Sequence, residues 1–150
     1  MAVQTRSDID SKKFFLGRQG GVTKMKEVIA QDAGRGTPLA QFTLMAKVAA
    51  SGKWTPFINA AATDGTAIPQ GIYTGDEITA AALVAGDIPD CMILVYDMEF
   101  DESMLVIENS KTLDTVVTVG TTDLRSVRDH LLNHKLLPRL TNTSTAQENT

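Results

Sequence analysis

The chain has 150 residues and a formal net charge of −4, with 43% hydrophobic, 21% charged and 5% aromatic residues. This length fits one domain, and the acidic balance argues against direct nucleic-acid binding as the main task. Cys91 is the single cysteine, which excludes an intrachain disulfide. The first residues lack the apolar core of a signal peptide, and no apolar run has the length of a membrane span. We therefore expect no membrane partner and synthesis in a reducing compartment.

The N-terminal residues 1–21 are polar and basic, and they predict an extended arm that needs a partner to become ordered. Residues 1–26 hold six basic and two acidic side chains, a net charge of +4, so the rest of the chain carries −8. This asymmetry favours contact between the arm and an acidic surface, and a solvated basic tail is the alternative. Residues 22–140 are then the folded domain, and 141–150 a polar tail.

The first half of the domain alternates short apolar runs with turn signals, which predicts a mainly β fold. Residues 27–38 predict a strand followed by a turn. Residues 39–58 predict two strands joined at Ser51-Gly52. Asp64-Gly65 predicts another turn, because an Asp-Gly pair readily adopts positive φ.

The second half of the domain continues this pattern and adds two short helices. Residues 91–100 are apolar on both faces at first, as in a strand inside a core, and residues 105–110 and 115–120 are rich in β-branched side chains. Residues 76–86 predict about two helical turns ended by Gly86. Residues 121–135 predict the clearer helix.

The helix predicted over 121–135 has several sequence signals. Thr122 or Asp123 can cap its N-terminus, and an apolar face holds Leu124, Val127 and Leu131. Pro138 lies beyond its end and stops it.

No group of residues makes a convincing catalytic or metal site. His130 and His134 are one helical turn apart, but Leu131 stands where a metalloprotease has its glutamate, so we interpret both as surface histidines. Asp97, Glu99 and Asp101 share one face of a strand, which a calcium site or an acid–base pair could use, yet a solvated strand end explains them better. Cys91 begins an apolar strand, as an inert thiol does. We predict no enzyme, no metal and no cofactor.

The order of turn motifs between residues 33 and 76 is more informative about function than any single residue. It contains Gly36-Thr37-Pro38-Leu39, then Ser51-Gly52-Lys53, then Asp64-Gly65-Thr66 followed by Pro69, Gly71 and Ile72. This succession resembles the phage head decoration proteins, the family that includes the decoration protein of phage lambda. The segments 91–109 and 124–138 are similar to the strand pair and the closing short helix of that family, so the resemblance covers about residues 27–140.

The resemblance implies a small β-tulip or barrel-like domain and a structural role in the virion. Such proteins assemble as homotrimers on three-fold positions outside the expanded capsid, after synthesis in the host cytoplasm, and brace the shell against packaged DNA. Their N-terminal arm adds a strand to the major capsid protein. Here the implied apolar anchor is Phe14, Phe15 and Leu16, and the side chains that pair with an acidic capsid surface are Arg6, Lys12, Lys13 and Arg18. The implied structural turns contain Gly36, Gly52, Asp64, Gly65, Pro69 and Gly71.

Two other functions stay open from the residues alone. Small trimeric β-rich nucleotide hydrolases have this length and acidity, and residues 71–76, Gly-Ile-Tyr-Thr-Gly-Asp, faintly resemble their substrate motif. A tail or fibre component of a virion is the second alternative. Such a component normally contains repeats or a coiled coil, and the sequence contains neither.

Overall fold

The computed structural model describes residues 14–16, 23–58, 62–118 and 125–140. These residues form a closed five-stranded β-barrel and a separate three-stranded sheet, with two short α-helices. The predicted fold class, mainly β and barrel-like with one or two short helices, is confirmed. In this part of the chain, no helix is long and apolar enough to cross a membrane.

The elements are named here in chain order. They are β1 (Phe15–Leu16), β2 (Thr23–Ile29), β3 (Leu44–Lys47), β4 (Trp54–Pro56), β5 (Pro69–Tyr73), α1 (Ala80–Ala85), β6 (Ile88–Tyr96), β7 (Met98–Asp101), a 3₁₀ turn (Glu102–Met104), α2 (Val127–Asn133) and β8 (Leu136–Arg139).

The barrel has the strand order β2-β4-β3-β5-β6, and β6 pairs with β2 to close it. Its longest ladder is the antiparallel pairing of β2 with β6, whereas β2 meets β4 at a single parallel position, Ile29 opposite Trp54. The predicted hairpin at Ser51-Gly52 is present as β3 and β4. Buried apolar side chains lie between the walls, including Ile29, Met45, Trp54, Tyr73 and Ile93.

The three-stranded sheet brings both ends of the described chain together. Strand β7 lies at its centre, antiparallel to β1 and parallel to β8, so Phe100 is opposite both Phe15 and Pro138. A second core cluster backs this sheet and contains Phe14, Phe42, Phe100, Leu131 and Leu136. The sheet therefore depends on residues far apart in the sequence.

Several predicted strands differ from the structure. The run over 91–100 is divided between β6 and β7, because Asp97 adopts a positive φ of 60° and redirects the chain. Residues 105–110 and the described part of 115–120 form no strands. They contribute only isolated bridges, Val106 to Thr43 and Val116 to Ser126. Positive φ angles at Asn109 and Ser110 interrupt an extended path there, so β propensity alone is overridden.

Both predicted helices are present, and the second is shorter than expected. Helix α1 has Thr79 as its N-cap and ends at Gly86, as predicted. Helix α2 is capped by Ser126, not by Thr122 or Asp123, which lie outside the described residues together with Leu124.

The cap of α2 is a reciprocal capping box. The Ser126 side chain accepts a hydrogen bond from the Asp129 backbone, and the Asp129 carboxylate accepts one from the Ser126 backbone. Helix α2 ends before Lys135, whose φ is 53°. Pro138 is not its stop signal, because it lies in β8.

The predicted turn residues fall into two groups. Gly52 and Gly65 have φ angles of 68° and 96° and sit in turns. Asp64 supports the second turn by accepting hydrogen bonds from the backbone and hydroxyl of Thr66, which lower the pKa of its carboxyl group.

The other three predicted turn residues are not in tight turns. Gly36 lies in a loop with open space around it. Pro69 and Gly71 lie inside β5. Gly71 is there because a Cβ would come within 2.8 Å of the Ile93 side chain, so close packing, and not chain reversal, requires glycine.

We expect Gly65→Ala to lower the free energy of unfolding by about 2 kcal/mol, since a left-handed non-glycine residue is strained. An added Cβ would also lie only 2.3 Å from the carbonyl oxygen of Lys47. Denaturant unfolding monitored by Trp54 fluorescence measures this change. Gly36→Ala is the matched control and should leave stability within about 0.5 kcal/mol; equal losses in both variants would refute the explanation.

Candidate interaction surface

The predicted apolar anchor of the arm lies in the domain itself. Phe14 is fully buried, and its ring stacks on Phe42 at a centroid distance of 4.0 Å and on Phe100 at 5.2 Å. Phe15 and Leu16 form β1 and pair with β7. The sequence predicts an arm over residues 1–21 that needs a partner to become ordered. In the structure, Phe14 instead completes the aromatic core beside the three-stranded sheet.

The residues around β1 also connect it to the barrel. The Lys24 ammonium lies 4.3 Å from the centre of the Phe15 ring, a cation–π contact, and burial lowers the pKa of Lys24. The other predicted arm residues, Arg6, Lys12, Lys13 and Arg18, lie outside the described residues. Their predicted contact with an acidic surface therefore stays a prediction.

Strand β2 pairs along most of its length on one side only. Its residues Lys24–Glu27, here called the β2 edge, pair with β6 on one side. On the other side, β4 reaches only Ile29. Lys24, Met25 and Lys26 are all exposed, Met25 by 45%. Side chains on both faces of this strand segment are therefore accessible, and no strand of the described residues pairs with its other edge.

The acidic side chains Glu99, Asp101 and Glu102 each bond to a different partner and do not form one cluster. Asp101 is buried and accepts hydrogen bonds from the backbone and hydroxyl of Ser103. Glu99 faces Arg139 at 3.4 Å, and Glu102 accepts from Arg128 at 2.7 Å. Within the described ranges, no group of three or more His, Cys, Asp or Glu side chains is placed to hold a metal ion.

The two histidines of α2 are less accessible than predicted. His130 is only 4% exposed, so the interpretation as a surface histidine is wrong for it. It follows Val127 by three residues and precedes Leu131, and all three face the core. His134 is half-buried at the end of the helix, and burial lowers its pKa.

Cys91 is buried at the barrel wall, as predicted for a structural thiol. Its Sγ lies 3.4 Å from the carbonyl oxygen of Ile88. Burial raises the pKa of the thiol, which keeps it in the less reactive protonated form at neutral pH.

Comparison with known proteins identifies no relative of the chain. No family model, curated protein or solved structure matches the chain. Function therefore has to be argued from the chain's own motifs and surfaces.

The tyrosine of the faint hydrolase motif is part of the core. Tyr73 is 4% exposed, and its hydroxyl donates to the carbonyl oxygen of Asp76. Burial raises its pKa. The side chain therefore holds the loop before α1 and is turned away from solvent, where a substrate would bind.

A cavity of about 350 Å³ lies beside strands β2 and β4, and concave sites of this size are where ligands commonly bind. Ile29, Leu39 and Leu83 line it together with the ion pair of Arg35 and Glu108. Arg35 donates from both terminal nitrogens to the Glu108 carboxylate, and it also donates to the carbonyl oxygens of Thr37 and Pro38. These bonds use the donors of the Arg35 guanidinium within the protein. The guanidinium therefore links the loop around Arg35 to the loop around Glu108.

The Arg35–Glu108 pair has no recognisable signal in the sequence. Its two residues are 73 positions apart and lie in irregular segments. Only the glycine-rich composition around Arg35 marks its segment as a loop.

Proposed function

We propose that the chain is a structural virion protein that binds the outside of an expanded phage capsid, as a homotrimer at three-fold positions, and stabilises the head against internal DNA pressure. The observation that carries this proposal is the ordered series of motifs from Gly36 to Ile72. In the fold, Ser51-Gly52-Lys53 connects β3 to β4, Asp64-Gly65 forms the next turn, and Pro69–Tyr73 is β5. The second and third motifs thus lie in consecutive parts of one barrel wall, and this contiguity supports the proposal.

The position of Phe14 refines where the capsid contact lies. Because Phe14–Leu16 are held by the domain, we assign the capsid-binding arm to the residues before Phe14, which include Arg6, Lys12 and Lys13. The first described residues lie beside β7, where Phe15 and Leu16 pair with it. An arm fixed at its base loses less conformational entropy on binding than a free chain, and three arms on one trimer bind with increased avidity.

Co-sedimentation with expanded, undecorated heads of the phage that encodes the chain tests this function. We expect saturable binding of three copies per three-fold site. Deleting residues 2–13 should abolish binding but leave the folded domain and its oligomeric state intact. A deletion through residue 21 is less informative, since it also removes Phe14 from the core. Deleting residues 142–150 is the control.

Full occupancy by the variant lacking residues 2–13 would contradict the arm assignment. Absence of binding by the intact chain would contradict the capsid function. In that case a nucleotide-hydrolysis assay with magnesium tests the enzyme alternative, and tail or fibre preparations test the remaining structural one.

A further inference from the structure

The β2 edge, Lys24–Glu27, is an unusual feature for a closed barrel. Only Ile29 bridges β2 to β4, and outside the strand ladders no backbone hydrogen bond joins these four residues to another described residue. In an antiparallel ladder, alternate residues direct their N–H and C=O groups to opposite sides. About half of the β2 edge therefore offers free donors and acceptors to an added strand.

Positive charge surrounds this open edge. Lys24 and Lys26 form no ion pair with a described residue, and the Lys47 ammonium lies 4.0 Å from Glu27. Lys24, Lys26 and Lys47 thus outnumber the Glu27 carboxylate at this edge. Lysine on an open edge normally discourages pairing with further strands. We therefore expect the β2 edge to pair only with a strand that carries negative charge.

A second copy of the chain is a poor partner for this edge. Pairing two β2 edges would place lysines opposite lysines, and like charges directly across a ladder are destabilising. The outer strand β8 carries Arg139 and follows Lys135, so it would meet the same repulsion. An extended segment with carboxylates at alternate positions has the opposite effect, because each charge pair adds attraction to the backbone hydrogen bonds.

We infer that the β2 edge binds an extended acidic segment of the major capsid protein by strand addition. This inference rests on the proposed function for the source of the segment. It gives the domain a second attachment point, separate from the residues before Phe14. Met25, exposed between the two lysines, supplies an apolar contact for a side chain of the added strand.

A pair of synthetic peptides tests the edge without capsids. One is an acetylated and amidated octapeptide, Thr-Glu-Val-Glu-Val-Glu-Val-Thr, and the other replaces each Glu by Lys. Amide exchange and chemical shifts of the full-length, ¹⁵N-labelled chain report binding residue by residue. We expect the acidic peptide to protect the outward amides of Lys24–Glu27 and the lysine peptide to protect none.

Two charge variants give the matched comparison. Lys26→Glu should weaken binding of the acidic peptide at least about tenfold, because repulsion replaces attraction at the edge. Lys111→Glu makes the same change of net charge away from the edge and should alter binding less than about twofold. The inference is overturned if both variants weaken binding equally, if protection falls outside β2, or if the lysine peptide protects the same amides.

Capsid binding separates this inference from the proposed function. If the intact chain decorates heads but Lys26→Glu binds them as Lys111→Glu does, the β2 edge has no role and the function stands. If the acidic peptide protects the β2 edge but no expanded head is decorated, strand addition stands and the capsid function fails.

Discussion

Phe14→Ala is expected to lower the free energy of unfolding by about 3–5 kcal/mol, the range for removing a buried phenylalanine. Phe14 is fully buried and stacks on Phe42 and Phe100. Urea unfolding followed by circular dichroism measures the change, and the denaturation midpoint should fall without a large change in slope.

Phe15→Ala is the control for this substitution. Phe15 is only partly buried, and its ring lies in a T-shaped arrangement with that of Phe14 at a centroid distance of 5.2 Å. The loss on its removal should therefore be smaller, about 1 kcal/mol. The two results together decide where the folded domain begins. If Phe14→Ala is as stable as the wild type, the folded domain begins at residue 22, as predicted from the sequence. Phe14, Phe15 and Leu16 are then available to contact a capsid protein.

Glu108→Gln is expected to lower the free energy of unfolding by about 3 kcal/mol, because it leaves a buried guanidinium without its counter-charge. The Arg35 side chain is only 8% exposed, and that of Glu108 21%. Hydrogen bonding to Glu108 raises the pKa of Arg35 in the wild type. Arginine keeps its charge even without this partner, so it cannot become neutral to relieve the loss in the variant. Thermal unfolding by calorimetry gives the measurement.

An exposed ion pair provides the comparison. Glu99 and Arg139 lie 3.4 Å apart with the arginine side chain 59% exposed, and Glu99→Gln should change stability by less than about 1 kcal/mol. The double variant Arg35→Met/Glu108→Leu should be more stable than Glu108→Gln, since it leaves no buried charge unpaired. A double variant less stable than the single one would show that the hydrogen bonds to Thr37 and Pro38, and not the missing counter-charge, dominate.

Local signals in the sequence were sufficient for much of the barrel. Ser51-Gly52 and Asp64-Gly65 identify their turns because few residues adopt positive φ, and this restriction acts within two or three residues. Helix α1 is equally local, with a threonine cap, a run of alanines and a terminal glycine. Such features depend little on the rest of the chain.

The features that the sequence did not predict arise from contacts between distant segments. A basic arm that contains the apolar cluster Phe14–Leu16 does not reveal whether its own domain or another protein buries that cluster. His130 looks like a surface residue in a polar helix, and only the packing of α2 against the core makes it buried. The β2 edge is likewise invisible in the sequence, because it results from β4 beginning only at Trp54, opposite Ile29.

The central position of β7 has a consequence for synthesis on the ribosome. Strand β1 is translated first, yet its partner Phe100 follows Phe15 by about 85 residues, and β8 comes near the end of the chain. Contacts between such distant segments form slowly, and Phe14 cannot stack on both Phe42 and Phe100 until both have emerged. The barrel hairpins can form during translation, whereas the sheet that holds the first residues is complete only after β8 leaves the exit tunnel. Nascent chains halted before β8 should therefore expose the N-terminal segment to proteases, and full-length chains should protect it from Phe14 onward.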